Sequence, residues 1–206
     1  MADRAVADLT DAVEKPGAVI LARHGKPALS RRCRLSASEY REWWADYEVG
    51  GLAEGQAAPE TLQQHAQRAG FIIASTRLRS IETATALAAG RAFAEDPLFI
   101  EAPLPPPHWP HWLKLSPPVW GFISRTWWWI FDHHDQQETR EQAKARADDA
   151  ARTLIKLAAS GHDVLVVAHG FFNLMIGRAL RRHGWTCTED GGFKYWAARR
   201  FELPQR

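Results

Sequence analysis

The 206-residue sequence has only two cysteines, Cys33 and Cys187, and lacks any long hydrophobic run. Two cysteines are too few for a disulfide framework or a four-thiolate zinc site, although they could form one disulfide with each other. The most apolar stretches, such as residues 164–168, are strand-length and well short of the roughly 20 residues that a membrane span needs. Residues 1–15 lack the apolar segment of a signal peptide or an anchor. We therefore expect reduced thiols and a cytoplasmic protein without a membrane partner.

The sequence also lacks a strong excess of charge of either sign. Its formal net charge is +2 with histidine neutral, so no overall field favours nucleic acid as a partner. A local pocket charge can still bind a small acidic substrate. The contents of 46% hydrophobic and 24% charged residues are typical of a globular chain and exclude disorder. No feature of the sequence indicates a particular oligomeric state.

Short apolar runs alternate with amphipathic segments along the chain. Residues 18–22, 71–74 and 164–168 are predicted as buried strands, and residues 98–100 as a short strand. Residues 136–160 are predicted as a long amphipathic helix, and Gly70 is predicted to end an earlier helix. This alternation favours a single α/β domain over residues 1–206. We expect three layers, with a mostly parallel central sheet and helices on both faces.

The composition changes between residues 102 and 135, where proline is frequent and six of the ten tryptophans lie. The prolines, up to Pro117 and Pro118, predict that no long element forms here. We expect an ordered insertion that caps the site. Its tryptophans are interpreted as core or pocket wall, or as a lid, and an interfacial membrane role is a lesser alternative.

Reactive polar groups follow three of the expected strands. Arg23 and His24 end the first, Ser75 leads from the second towards Arg79, and His169 ends the third. Ligands of open parallel sheets bind beyond the carboxyl ends of the strands. We therefore expect these side chains to converge at one edge.

The residue types at this edge suit phosphoryl transfer. Arginine forks bind phosphate oxygens bidentately, and a neutral imidazole is a competent nucleophile without a metal. The leaving oxygen then needs a proton from a carboxylic acid or a second imidazole. Gly25 and Gly170 follow the two histidines, where a missing side chain would let phosphate approach the backbone.

Three blocks of this sequence resemble the histidine phosphatase superfamily, which includes the cofactor-dependent phosphoglycerate mutases. Residues 23–27, R-H-G-K-P, are similar to its R-H-G-x-P signature. Residues 75–84, S-T-R-L-R-S-I-E-T-A, are similar to its S-x-x-x-R-A-x-x-T-A segment, with Ser80 in place of alanine. Residues 166–170, V-V-A-H-G, resemble its second histidine block. The blocks occur in the family's order, and the resemblance spans roughly residues 17 to 203.

The resemblance implies a role for each matching residue. It makes His24 the nucleophile that becomes phosphohistidine and places Arg23, Arg79 and His169 around the phosphate. His169 would also stabilise the transferring group. The family's proton donor is an acidic residue between the second and third blocks, and Glu101 is the best candidate.

Glu82 and Glu95 compete with Glu101 for the role of proton donor, although Glu82 is more typical of an ordinary helix surface residue. No metal or organic cofactor is implied. The expected partner is a small phosphorylated substrate.

Alternatives remain at this stage. A mutase would return the phosphoryl group to a substrate hydroxyl, and a silent relative would bind a phosphorylated ligand without turnover. We favour hydrolysis because residues 103–131 do not resemble the mutases. The histidines at 108, 111, 133 and 134 match no strict zinc motif. The arginines at 31, 32 and 34 are interpreted as a solvated loop or as a collector of an extended anionic substrate.

Overall fold

The computed structural model describes residues 15–204, which contain one six-stranded sheet. The strands are β1 (Val19–Arg23), β2 (Ala69–Ala74), β3 (Ala94–Glu95), β4 (Asp163–Ala168), β5 (Thr186–Asp190) and β6 (Ala198–Glu202). Their order is β3-β2-β4-β1-β6-β5. The first four in this order pair in parallel, whereas β6 and β5 pair antiparallel. The expectation of a mostly parallel sheet is confirmed.

Strict alternation along the central strands divides the core into two layers. Val19 and Leu21 face one side of the sheet and Ile20 and Ala22 face the other, as the two-residue period of a strand requires. The first side is covered by α5 (Arg140–Ala158) and α6 (Gly170–Arg182), and the second by α2 (Glu60–Arg68) and α3 (Leu78–Ala88). The predicted three-layer α/β architecture is therefore confirmed.

A third, smaller cluster joins α1 (Ala37–Val49) to α4 (Pro117–Phe131). Tyr40 and Trp120 are buried there, and the indole N–H of Trp120 donates to the carbonyl of Leu35 at 2.7 Å. A capping box fixes the start of α1, because Ser36 and Glu39 exchange side-chain and backbone hydrogen bonds. The wall over the site thus comes from residues 31–49 as well as from the predicted insertion.

The expectation that prolines prevent a long element between residues 102 and 131 is wrong. Pro117 and Pro118 open the 15-residue helix α4. Proline is tolerated in the first turn of a helix, because its missing N–H would have no intrahelical acceptor there and its φ is already helical. These two prolines start the helix instead of breaking it.

Four smaller expectations also differ from the structure. Gly70 lies inside β2 and does not end a helix. Residues 97–99 form a 3-10 turn, although residues 98–100 favoured a strand. The helix expected from residue 136 begins at Arg140, because Thr139 forms a capping box with Gln142. Strand β5 was missed, since its exposed side chains carry no apolar signal.

None of the helices within residues 15–204 combines the length and apolarity needed to cross a bilayer. Cys33 and Cys187 form no disulfide with each other. The prediction for the N-terminal segment concerns residues 1–15, of which residues 1–14 lie outside the described part of the chain.

Candidate active site

The carboxyl ends of three adjacent parallel strands meet at one edge of the sheet. His24 follows β1, Ser75 follows β2 and His169 follows β4. The amide of His24 donates to the carbonyl of Ala168 at 3.0 Å, and that of Ser75 donates to Val167 at 3.0 Å. These bonds continue the hydrogen-bond ladder of the sheet beyond the strand ends. The backbone of His24 and Ser75 is therefore fixed by the same kind of hydrogen bonds as the strands.

Arg79 lies between the two histidines and is completely buried. Its Nε is 3.3 Å from Nε2 of His24, and its Nη2 is 3.3 Å from Nδ1 of His169. The remaining N–H groups donate to the carbonyls of Tyr47 (2.8 Å) and Glu48 (3.2 Å) and to the Glu48 carboxylate (2.8 Å). All five guanidinium donors are therefore directed at acceptors of the protein.

The tautomer of His24 follows from its neighbours. Nδ1 lies 2.7 Å from the carbonyl of Gly25, which can only accept, so Nδ1 carries the proton. Nε2 then presents its lone pair towards Arg79. Burial, followed by the charge of Arg79, lowers the pKa of His24 well below 6.5. At neutral pH the residue is thus an uncharged imidazole with Nε2 as its nucleophilic atom.

His169 has the opposite tautomer. Its Nδ1 accepts from Arg79, so its Nε2–H donates to the hydroxyl of Ser75 at 2.9 Å. Burial and the charge of Arg79 also lower the pKa of His169 well below its usual 6.5. The His24 and His169 ring centres are 5.2 Å apart. Two neutral imidazoles thus flank one guanidinium.

Glu101 lines the same cleft as the two histidines. Its carboxylate accepts from the backbone N–H groups of Phe172 (2.8 Å) and Phe171 (3.3 Å) in the first turn of α6. Helix N-termini stabilise carboxylates in this way. The two competing acids do not line the cleft: Glu82 accepts from the amide of Leu52 at 2.6 Å, and Glu95 is exposed on β3. Glu82 is therefore not the ordinary surface residue that the sequence favoured, because it holds a backbone loop.

Arg23 lies at the mouth of the cleft. One end of its guanidinium donates to the carbonyl of Phe193, and the group stacks over the Tyr195 ring at 4.2 Å. Its buried Nε has no hydrogen-bond partner among residues 15–204. An unused buried donor is costly unless a ligand takes it.

The two glycines after the histidines serve packing in this structure. A Cβ at Gly25 would lie 2.6 Å from the Trp196 ring, and one at Gly170 would lie 3.2 Å from Nε of Arg23. The amide of Gly25 already donates to Thr83 at 3.0 Å. The approach of phosphate to either backbone stays a prediction.

Sequence reasoning missed the wall that α1 adds to the cleft. The aromatic residues at positions 40, 43, 44 and 47 recur at helical spacing, which predicts that they share one face of the helix. That spacing is the sequence signal from which the wall could have been predicted. Glu48, which holds Arg79 and also pairs with Arg77 at 2.8 Å, gave no comparable signal. The cleft has a volume of about 30 Å³ and is lined from α1 by Tyr40, Trp43, Trp44 and Tyr47, and elsewhere by Arg31, Pro117, Gly121 and Arg125 besides the residues above.

Other candidate groups lie away from the cleft or at its rim. Arg31 lines the cleft and donates to the Tyr195 hydroxyl at 2.8 Å, whereas Arg32 and Arg34 do not line it. His133 contacts the Pro106 carbonyl at 3.2 Å. Among residues 15–204, no three histidine, cysteine or acidic side chains are grouped as metal ligands would be.

The sequence matches the family model of the histidine phosphatase superfamily (branch 1) over residues 19–189. A search of curated proteins found no match.

Several solved structures share the fold. A phosphoglycerate mutase from Bacillus anthracis str. Sterne is similar with a TM-score of 0.58 at 16% identity, covering 94% of this chain and 94% of that chain. An ecdysone phosphate phosphatase from Bombix mori gives 0.54 at 15% identity and 92% of both chains. A mycobacterial glucosyl-3-phosphoglycerate phosphatase gives 0.52 at 16% identity, covering 91% of this chain and 97% of that chain. At these identities the likeness concerns the fold alone.

Proposed function

The chain belongs to the histidine phosphatase superfamily, and we propose that it hydrolyses phosphate monoesters through a phosphohistidine on His24. The observation that carries this proposal is the state of His24: a buried neutral imidazole whose Nε2 lone pair faces a guanidinium. The expected substrate is a small phosphorylated compound, and the cytoplasm is the proposed location.

Substrate binding replaces protein acceptors by phosphate oxygens. Four arginines, Arg23, Arg31, Arg79 and Arg125, line the cleft and oppose a single lining carboxylate, Glu101. A phosphate oxygen that accepts the Nε–H of Arg79 takes the place of His24 Nε2 and frees the lone pair. The unused Nε–H of Arg23 donates to a second oxygen. Both bonds are charge-assisted and therefore strong.

In the first chemical step, Nε2 of His24 attacks phosphorus and the bond from phosphorus to the ester oxygen breaks. The departing oxygen takes a proton from the Glu101 carboxyl group, which receives it from the bound monoanionic ester, and leaves as an alcohol. His24 becomes a phosphorylated imidazolium, and the Gly25 carbonyl that accepts from Nδ1 stabilises its positive charge. Arg79 and His169 stabilise charge on the equatorial oxygens.

In the second step, water enters on the side vacated by the alcohol. The Glu101 carboxylate removes a proton from it, the water oxygen attacks phosphorus, and the bond to Nε2 breaks. Inorganic phosphate leaves, and His24 returns to the neutral tautomer from which it started.

The test is phosphate release from p-nitrophenyl phosphate in the presence of EDTA. We expect the wild type to be active and the His24→Ala variant to lose about 10³-fold or more in kcat. His111→Ala, a change on an exposed turn, is the matched control and keeps full activity. Quenched wild type carries an acid-labile phosphoryl group on His24, detectable by mass spectrometry at alkaline pH.

Three outcomes contradict the proposal. A folded wild type that releases no phosphate from any monoester tested, aryl or alkyl, contradicts the phosphatase function. Activity retained by His24→Ala removes His24 from the mechanism, and activity lost in EDTA assigns the chemistry to a metal. Faster transfer to added glycerol than to water favours the mutase alternative.

A further inference from the structure

A wide apolar groove runs between α4 and α6 beside the catalytic cleft. Its apolar walls are Phe122, Trp129 and Ile130 from α4, Phe171 and Leu174 from α6, and Phe193. Its volume is about 850 Å³, against about 30 Å³ for the cleft. Sites for small ligands usually have volumes of about 300–1,000 Å³. The groove therefore has room for an organic group that the cleft cannot hold.

The groove is continuous with the cleft. Arg23, Arg31 and Arg125 line both. Phe171 connects them a second time, because its side chain lines the groove and its backbone N–H donates to Glu101 at 3.3 Å. A substrate whose phosphate lies in the cleft can thus extend its carbon chain past these residues into the groove.

The groove is apolar and open to solvent. Phe122 is 70% exposed and Ile130 is 60% exposed, and contiguous exposed apolar surface is typical of a binding site. Arginines flank it, with Arg125 over the Phe171 ring at 5.8 Å and Arg178 over the Trp129 ring at 5.3 Å. An apolar floor with a cationic rim complements a molecule that has an anionic head and an apolar body.

We propose that the α4–α6 groove binds the organic part of the substrate and that the enzyme prefers phosphate monoesters of long apolar alcohols. This inference rests on the proposed phosphatase function. The phosphate lies in the cleft among Arg23, Arg79 and His169, and the hydrocarbon extends over Phe171 onto α4.

The experiment measures kcat/KM for ethyl, butyl, hexyl and octyl phosphate below the concentration at which they form micelles. In the wild type, kcat/KM rises with chain length by up to about fourfold per methylene, the value for complete burial of a CH₂ group. Phe122→Ser lowers kcat/KM for octyl phosphate about tenfold and leaves that for ethyl phosphate unchanged.

Phe131→Ser is the matched control. Phe131 lies nine residues further along α4, two and a half turns on and therefore on the opposite side of the helix. It is 61% exposed, packs on Trp127 at 4.8 Å and does not line the groove. Both residues are exposed, so both variants fold, and the control keeps the wild-type dependence on chain length.

The outcomes separate this inference from the proposed function. Hydrolysis of p-nitrophenyl and ethyl phosphate without any gain up to octyl overturns the groove assignment alone, whereas no hydrolysis of any ester overturns the proposed function. Alkylphosphonates, which cannot be hydrolysed, repeat the comparison by calorimetry without turnover.

Equal losses in Phe122→Ser and Phe131→Ser contradict the assignment of the groove. A wild-type dimer that Phe122→Ser dissociates, measured by sedimentation, assigns the groove to a second copy of the chain.

Discussion

The catalytic cleft and the adjacent α4–α6 groove differ in how deeply their side chains are buried and in what positions them. In the cleft, His24, Arg79 and His169 are at most 2% exposed and hydrogen bonds fix their positions. In the groove, Phe122 and Ile130 are mostly exposed and only packing positions them. The sheet edge thus fixes the reacting atoms, whereas the helix faces leave a substrate-sized surface uncovered. Under the two proposals, chemistry and selectivity are therefore carried by different parts of the fold.

The strongest test of the rigid cleft is Arg79→Lys. A lysine keeps the charge but supplies one ammonium in place of a fork that contacts both imidazoles and the Glu48 carboxylate. We expect kcat/KM for p-nitrophenyl phosphate to fall about 10³-fold. Arg91→Lys is the control, because Arg91 also donates to two backbone carbonyls, those of Ala66 and Ala69, away from the cleft. A loss under tenfold for Arg79→Lys would show that charge alone suffices.

The link between cleft and groove is tested by Glu101→Gln. The amide cannot protonate the leaving oxygen, so kcat/KM for octyl phosphate, which reports the first chemical step, falls about 10²–10³-fold. The loss is smaller for p-nitrophenyl phosphate, whose leaving group needs no proton, and inhibition by inorganic phosphate is unchanged. Glu82→Gln, which alters a carboxylate that binds the Leu52 amide, serves as control. Equal losses of kcat/KM on the two substrates would remove Glu101 from protonation of the leaving oxygen.

The smallest effect concerns stability against pH. Burial lowers the pKa values of His24 and His169 well below 6.5, so below pH 6.5 the unfolded chain binds more protons than the folded one. The free energy of unfolding therefore falls as pH decreases, by about 1 kcal/mol per histidine at pH 5.5. Urea unfolding between pH 5.5 and 8 measures it. If the double variant His24→Asn/His169→Asn showed the same decrease in the free energy of unfolding at low pH, the pH dependence would come from other groups.

Apolar patterning predicted the sheet layers and the reactive edge because both depend on local signals. The β-branched runs before His24 and His169 are buried strands in a parallel sheet, so their ends had to meet. Patterning failed for α4, where Pro117 and Pro118 start a helix that looked broken, and for β5, whose polar residues lie at the sheet edge. The role of Glu48 could not be predicted for another reason. Its contact with Arg79 joins residues 31 positions apart, and the local sequence carries no pattern that indicates it.

The bonds from Arg79 to the carbonyls of Tyr47 and Glu48 have a mechanical consequence. These carbonyls belong to the last turn of α1, so the guanidinium that we propose to bind phosphate also caps the end of the helix that walls the cleft. In the proposed binding mode the phosphate oxygen takes the Nε–H of Arg79 and leaves these N–H groups on α1. One guanidinium then positions the phosphate and stabilises the end of the wall, so we expect phosphate affinity and the local stability of α1 to be thermodynamically coupled.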